Sequence, residues 1–223
     1  MLALKHTPVR LEEKFGEFCK RRQPQGVRLP LDAAGLGREE FLFNPSDIFE
    51  EDGQRLMAAR RGTVEETGDC TVLLRESGGV WRIDGAARQF PLQDPNVARI
   101  GDELVLSGVR CRKDEQGEWH WHCEFYRGKR YKELEYFFSG PPQMKDIRLV
   151  GLPGGRVGVF TRPQGLAYRA KTGHIADIGY LEAESLSALS AEKIANAPLL
   201  EGMFLPEEWG GVNMVYPLRS GLL

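Results

Sequence analysis

The sequence predicts an all-β fold in which short antiparallel sheets stand around an axis as the blades of a propeller. Three observations carry that prediction. From residue 41 onward, short apolar runs alternate with turn signals, as an all-β architecture requires. One stretch recurs with fixed spacing: DPNVARIGDELVLSGVR at 94–110, DIRLVGLPGGRVGVFTR at 146–162 and, more loosely, NPSDIFEEDGQRLMAAR at 44–60. The copies start 50 and 52 residues apart, and a repeat of about 40–50 residues made of short strands marks a propeller blade.

Each copy opens with Asp or Asn, closes with Arg, and carries glycine near its middle at Gly53, Gly101 or the pair Gly154 and Gly155. About six strand residues, a tight turn and about six more bring a chain back to where it began. Three such hairpins around one axis deliver Asn44, Asp94, Asp146, Arg60, Arg110 and Arg162 to a common rim. Taken singly, these residues read as turn formers and solvated strand-end charges. Their shared spacing makes the rim the candidate site.

In chain order, residues 1–40 are punctuated by Pro and Gly, with one strand at 27–31. Strands follow at 55–60, 71–75, 80–84, 97–100, 104–110, 119–126, 133–138, 147–152, 156–161 and 175–181. Gly78-Gly79, Glu115-Gln116-Gly117 and Pro153-Gly154-Gly155 read as hairpin turns. The GLPGGRVG segment at 151–158 matches no phosphate-loop pattern and leads into a strand, so it is a turn as well. Only residues 184–197 read as helical, with Ser185 or Ser190 as cap and Leu186, Leu189 and Ile194 as the buried stripe, a short insertion outside a blade. Asn213 would open a further copy whose closing residue falls past Leu223. The chain therefore reads as a single propeller domain, 1–223, truncated at its C-terminal end.

Composition narrows the function. A net charge of −2 argues against a nucleic-acid-binding or membrane-bound surface. No apolar stretch reaches spanning length and the first residues lack a signal-peptide core, which points to the cytoplasm. Four unpaired-looking cysteines fit a reducing compartment. Cys111, His120, His122 and Cys123 do not make a metal site, because strand alternation sends the histidines and Cys123 to opposite faces. No cofactor motif is present.

The motifs NPSDIF, LQDPNV, MKDIRLVGL, RVGVFTRPQG, GHIADIGY and EEWGGVN together resemble the β-1,2-mannoside mannosyltransferase/phosphorylase family, formerly a family of unknown function and related to the mannoside phosphorylases of glycoside hydrolase family 130. The resemblance runs from residue 41 to the last residue. It implies a five-bladed β-propeller, incomplete here with about four blades, acting on mannooligosaccharides with inorganic phosphate or a sugar nucleotide as co-substrate. It implies that Asp94 of LQDPNV is the general acid. It also implies that Asn44, Arg60, Lys145, Asp146, Arg162, Trp209 and Asn213 line the central pocket.

The residue types suit that chemistry. Inverting cleavage of a glycosidic bond needs an acid for the leaving oxygen and a nucleophile on the opposite face. A hydrolase recruits a second carboxylate to activate water, here Asp146. A phosphorylase needs cations to hold phosphate instead, and arginine's bidentate geometry serves that purpose. A third possibility is a propeller that binds carbohydrate without catalysis.

Overall fold

The computed structural model describes residues 8–21, 26, 28–65 and 68–223. Strands group into separate antiparallel sheets. The first holds β1 (Phe41–Phe43), β2 (Phe49–Glu51), β3 (Gln54–Gly62), β4 (Cys70–Ser77) and β5 (Val80–Ile83). The second holds β6 (Gln93–Ile100), β7 (Glu103–Lys113), β8 (Trp119–Gly128) and β9 (Glu135–Ser139). The third holds β10 (Arg148–Gly151), β11 (Val157–Thr161) and β12 (Gly179–Ala183). After Asn213 the chain closes on itself in a short hairpin of β13 (Pro217–Leu218) and β14 (Gly221–Leu222), rather than adding a half-hairpin. In the second and third sheets strand order follows chain order, the meander of a propeller blade. β6 lies against both β3 and β10, so the three sheets meet at these strands.

The all-β propeller architecture expected from the repeat is the one the chain adopts. Each copy forms a hairpin: β2 with β3, β6 with β7, β10 with β11. Strand alternation explains how the sheets stack. In β7, Leu104 and Leu106 join Ala58, Leu73, Phe90 and Leu92 between the first and second sheets. Val105 and Val109 face the other way and join Cys123, Phe125, Ile147, Leu149, Val157 and Val159 between the second and third. A strand buried on both faces reads as a continuous apolar run, and β3 and β7 do so.

Several local expectations need correction. α1 (Leu11–Lys20) and α2 (Leu166–Thr172) are helices where none was expected. α1 buries none of its residues, although Leu11, Phe15 and Phe18 recur at helical spacing. α2 is a short turn of chain closed by Gly173 at φ 80°. The expected helix at 184–197 splits into a 3₁₀ turn, Leu186–Ala188, and α3 (Ala191–Ala195). Ser190 is the working cap, accepting from the Lys193 N–H, whereas Ser185 caps nothing. Leu186 and Ile194 are buried as expected.

The strand expected at 175–181 starts four residues later, since β11 offers partners only for Gly179 onward, and one bridge joins Ala176 to Gln164. Of the strand expected at 27–31, Val27 lies outside the described residues and Leu31 makes a single parallel bridge to Trp81. Among the described residues, no helix is long and apolar enough to cross a membrane.

Candidate active site

The repeat's opening residues share an uncommon backbone. Asn44, Asp94 and Asp146 have φ of 47°, 49° and 56°, the left-handed region that only Gly, Asn and Asp enter readily. Most other side chains there would cost about 1–2 kcal/mol. In each sheet this residue interrupts or precedes the leading strand. Residues 44–48 separate β1 from β2, Asp94 and Pro95 fill the register shift between Gln93 and Asn96, and Asp146 stands just before β10. Such a break re-aims a side chain out of the ladder. All three point into one pocket of about 610 Å³, shared with Asn96, Arg148, Arg162 and Asn213.

One wall of the pocket is acidic. Asp94 Oδ1 accepts from Asn44 Nδ2 at 2.5 Å and from Arg60 Nη1 at 3.1 Å. Arg60 is buried over the Phe43 ring, and its Nε and Nη2 donate to Asp69 Oδ2. Burial works against the Arg60 charge, but the two carboxylates outweigh it and hold the guanidinium above its usual range. Two acids on one arginine leave this wall with surplus negative charge. Asp94 alone of the two acids reaches the pocket, with its side chain 25% exposed.

Another part of the lining is cationic. Asp146 pairs with Arg162 Nη1 at 2.6 Å and with Arg148 Nη2 at 3.5 Å. Arg148 Nε donates to the Asn213 carbonyl at 3.2 Å, and Arg162 Nη2 to Gln164 Oε1 at 2.9 Å. Both arginines are buried, and Arg148 Nη1 and Arg162 Nε have no hydrogen-bond partner among the described residues. Burial pushes Arg162 below its ordinary value, and Asp146 only partly counters it. Arginine stays charged regardless, so this wall carries an under-compensated positive charge suited to an anion.

The remaining expected residues divide. Asn213 lines the pocket and feeds its backbone carbonyl to Arg148 and, at 3.5 Å, to Asn96 Nδ2. Trp209 does not line it. Its ring lies 5.1 Å from the Arg162 guanidinium carbon, stacked behind the cation. Gly211 serves this packing: a Cβ there would sit 3.2 Å from Arg162 Cδ and Nη1. Lys145 lines a neighbouring cavity with Gln93, Trp121 and Gln164.

Arg110 leaves the rim and donates to the Pro91 carbonyl at 3.2 Å. The hairpins close at Glu51 with Gln54, Ile100 with Glu103, and Gly151 with Val157, so equal sequence spacing does not give equal places on the strands. Arg110 stands farthest beyond its turn. Arg148, Asn96 and Asp69 belong to the site but went unread. Arg148 and Asn96 sit two residues after Asp146 and Asp94, the period at which a strand returns to the same face. Asp69 gave no local signal. The Cys111, His120, His122 and Cys123 group diverges, with His120 on Asp114 and His122 on Glu124.

Solved structures resemble the chain closely. MPT-4, a mannose phosphorylase from Leishmania mexicana solved with a phosphate ion, is 34% identical with a TM-score of 0.81 over 94% of this chain and 63% of its own. MPT-1, a GDP-Man-dependent mannosyltransferase from the same organism, is 31% identical with a TM-score of 0.79 over 96% of this chain and 65% of its own. A hypothetical protein from Leishmania major is 31% identical with a TM-score of 0.76, over 94% and 65%. The chain thus spans less than two thirds of the length of these relatives. No curated protein matches it. Residues 24–223 match the family described as protein of unknown function DUF1861, and the chain belongs to that family.

Proposed function

We propose that the protein is an inverting glycoside phosphorylase or mannosyltransferase acting on β-1,2-linked mannosides, with Asp94 as general acid and Arg162, assisted by Arg148, holding the phosphate of the co-substrate. The charge separation across the pocket carries this reading. An acid held by Asn44 and Arg60 shares the pocket with two buried arginines on Asp146.

In the phosphorolytic direction, Asp94 gives its proton to the glycosidic oxygen as the C1–O bond breaks. A phosphate oxygen seated on the cationic wall forms the new bond to C1 from the opposite face. The products are mannose 1-phosphate and a mannoside shortened by one unit, and the proton that hydrogen phosphate sheds as its oxygen bonds C1 restores Asp94 to its acid form. A hydrolase would need a second carboxylate to activate water. The other carboxylate lining this pocket among the described residues, Asp146, is engaged by two arginines. That arrangement favours an anionic nucleophile over water. The relatives, a mannose phosphorylase with phosphate and a GDP-Man-dependent mannosyltransferase, support the same substrate classes.

The test is incubation with β-1,2-mannooligosaccharide, with and without inorganic phosphate, and in reverse with GDP-mannose and an acceptor. Mannose 1-phosphate formed only with phosphate, or a lengthened mannoside formed from GDP-mannose, supports the proposal. Free mannose released without phosphate identifies a hydrolase. Binding with no product in any arm identifies a carbohydrate-binding module.

A further inference from the structure

The GHIADIGY segment at 173–180 carries a buried acid, Asp177, that the chemistry of the central pocket leaves unused. It lies at the foot of an excursion. The chain leaves β11 at Thr161, passes through Arg162 and α2, and returns to pair Gly179 with Thr161. Two contacts close the excursion at its base. The Asp177 N–H donates to the Pro163 carbonyl at 3.2 Å, and Gln164 bridges Ala176. Gln164 is thereby set beside Arg162, whose Nη2 donates to its Oε1 at 2.9 Å.

Apolar packing does not hold the excursion down. α2 buries none of its residues, and Leu166 at its start is 90% exposed. The anchor is polar. Asp177 Oδ2 accepts from the Tyr168 hydroxyl of α2 at 2.5 Å, and Oδ1 pairs with His174 Nδ1 at 3.0 Å. Burial and the carboxylate together hold the Tyr168 hydroxyl well above its ordinary range, so it remains a donor. One carboxylate thus ties the helix, and the chain just after it, to the segment that bridges Gln164.

The effect of Gln164 on Arg162 follows from the shape of the guanidinium. An arginine alone with a carboxylate takes two parallel N–H···O bonds. Here only Nη1 goes to Asp146, at 2.6 Å, because Gln164 takes Nη2; the other oxygen of Asp146 meets Arg148 at 3.5 Å. A neutral acceptor on Nη2 therefore keeps the fork from closing on Asp146, and it adds no negative charge beside the anion seat. Arg162 Nε stays a buried donor with no hydrogen-bond partner among the described residues.

We propose that Asp177 is a positioning residue for the anion seat: it fixes the excursion, the excursion fixes Gln164, and Gln164 holds the Arg162 fork open to phosphate. The inference rests on the reading of Arg162 as the residue that holds the co-substrate phosphate, and not on which mannoside is cut.

The test is titration calorimetry with inorganic phosphate and, separately, with β-1,2-mannotriose. The proteins are wild type, Gln164→Ala, Asp177→Ala, the double variant and Asp177→Asn. Each alanine should weaken phosphate binding by about tenfold. Because one residue acts through the other, the double variant should also lose about tenfold, and not the roughly hundredfold of independent sites. Asp177→Asn, whose amide can accept from Tyr168 and donate to His174, should stay within about threefold of wild type. Mannotriose affinity should be unchanged throughout. If Asp177→Ala does not fold, Tyr168→Phe replaces it in the cycle, with the same lack of additivity expected. Unchanged phosphate affinity in the Asp177 or Tyr168 variant, losses that multiply in the double variant, or a parallel loss of mannotriose affinity overturns the proposal. Phosphate binding that follows this pattern without any mannosyl transfer supports the positioning role and counts against the catalytic reading alone. Wild type that binds no phosphate overturns the positioning role, even where mannose is transferred from GDP-mannose.

Discussion

Replacing Asp94 by Asn isolates the proton from everything else the side chain does. Asn tolerates the left-handed backbone at φ 49°, and its carbonyl oxygen can still accept from Asn44 and Arg60. Arg60 keeps its bonds to Asp69. What disappears is one negative charge and the ability to donate a proton. Changing one charge-assisted hydrogen bond to a neutral one costs about 1 kcal/mol, a fall of about 2–4 °C in Tm for a chain of this size. Turnover should fall far more, by about 10²–10⁴-fold, because general acid assistance is lost. The barrier rises by about 3–5 kcal/mol, several times the stability effect. KM for the oligosaccharide should barely move. The assay is mannose 1-phosphate release from β-1,2-mannobiose, set beside an aryl β-mannoside whose leaving oxygen needs no proton. Asp94→Asn should recover most of its rate on the aryl substrate. Normal turnover of the disaccharide, or an equal loss on both substrates, would refute the acid assignment.

Arg162→Ala should raise the concentration of phosphate or GDP-mannose needed for half-maximal rate by about ten- to a hundredfold, and an unchanged requirement would remove this arginine from the anion seat. Arg162→Lys should recover little, since a single ammonium cannot reproduce the fork that meets Asp146 and Gln164. Asp69→Ala breaks a pair whose side chains are 5% and 1% exposed, and urea unfolding should show a loss of about 3–5 kcal/mol; a loss near zero would mean that Arg60 does not depend on Asp69. Burial pushes the Cys123 thiol up from 9.0 to about 12, so iodoacetamide at pH 8 should modify exposed Cys19 and spare Cys123 until the chain unfolds. The raised value also means that Cys123 contributes stability fully present below pH 9 and lost as pH rises towards 12, readable as a falling urea midpoint.

Periodicity alone determined a good deal about this protein. The continuous apolar runs of β3 and β7, the glycine turns and the recurring Asp/Asn openings are local properties, dictated by what a strand, a turn or a left-handed residue tolerates. That is why the all-β class, most strand positions and the shared placement of Asn44, Asp94 and Asp146 were legible. The helices α1 and α2 were missed: α1 carries Leu11, Phe15 and Phe18 at helical spacing that went unread, and α2 is barely two turns long. Tertiary structure alone decided which arginines serve the pocket. Arg60, Arg110 and Arg162 occupy equal places in the sequence repeat, yet turns and bulges absorb residues differently in each hairpin, and a strand that slips by a residue turns its side chains elsewhere. Arg110 was thereby sent to Pro91, while Arg148, with no place in the expected set, came to share Asp146 with Arg162. The pairing of Arg60 with Asp69 was equally beyond reach. Asp69 meets it across two paired strands, and a contact made by folding leaves no spacing in the chain to read.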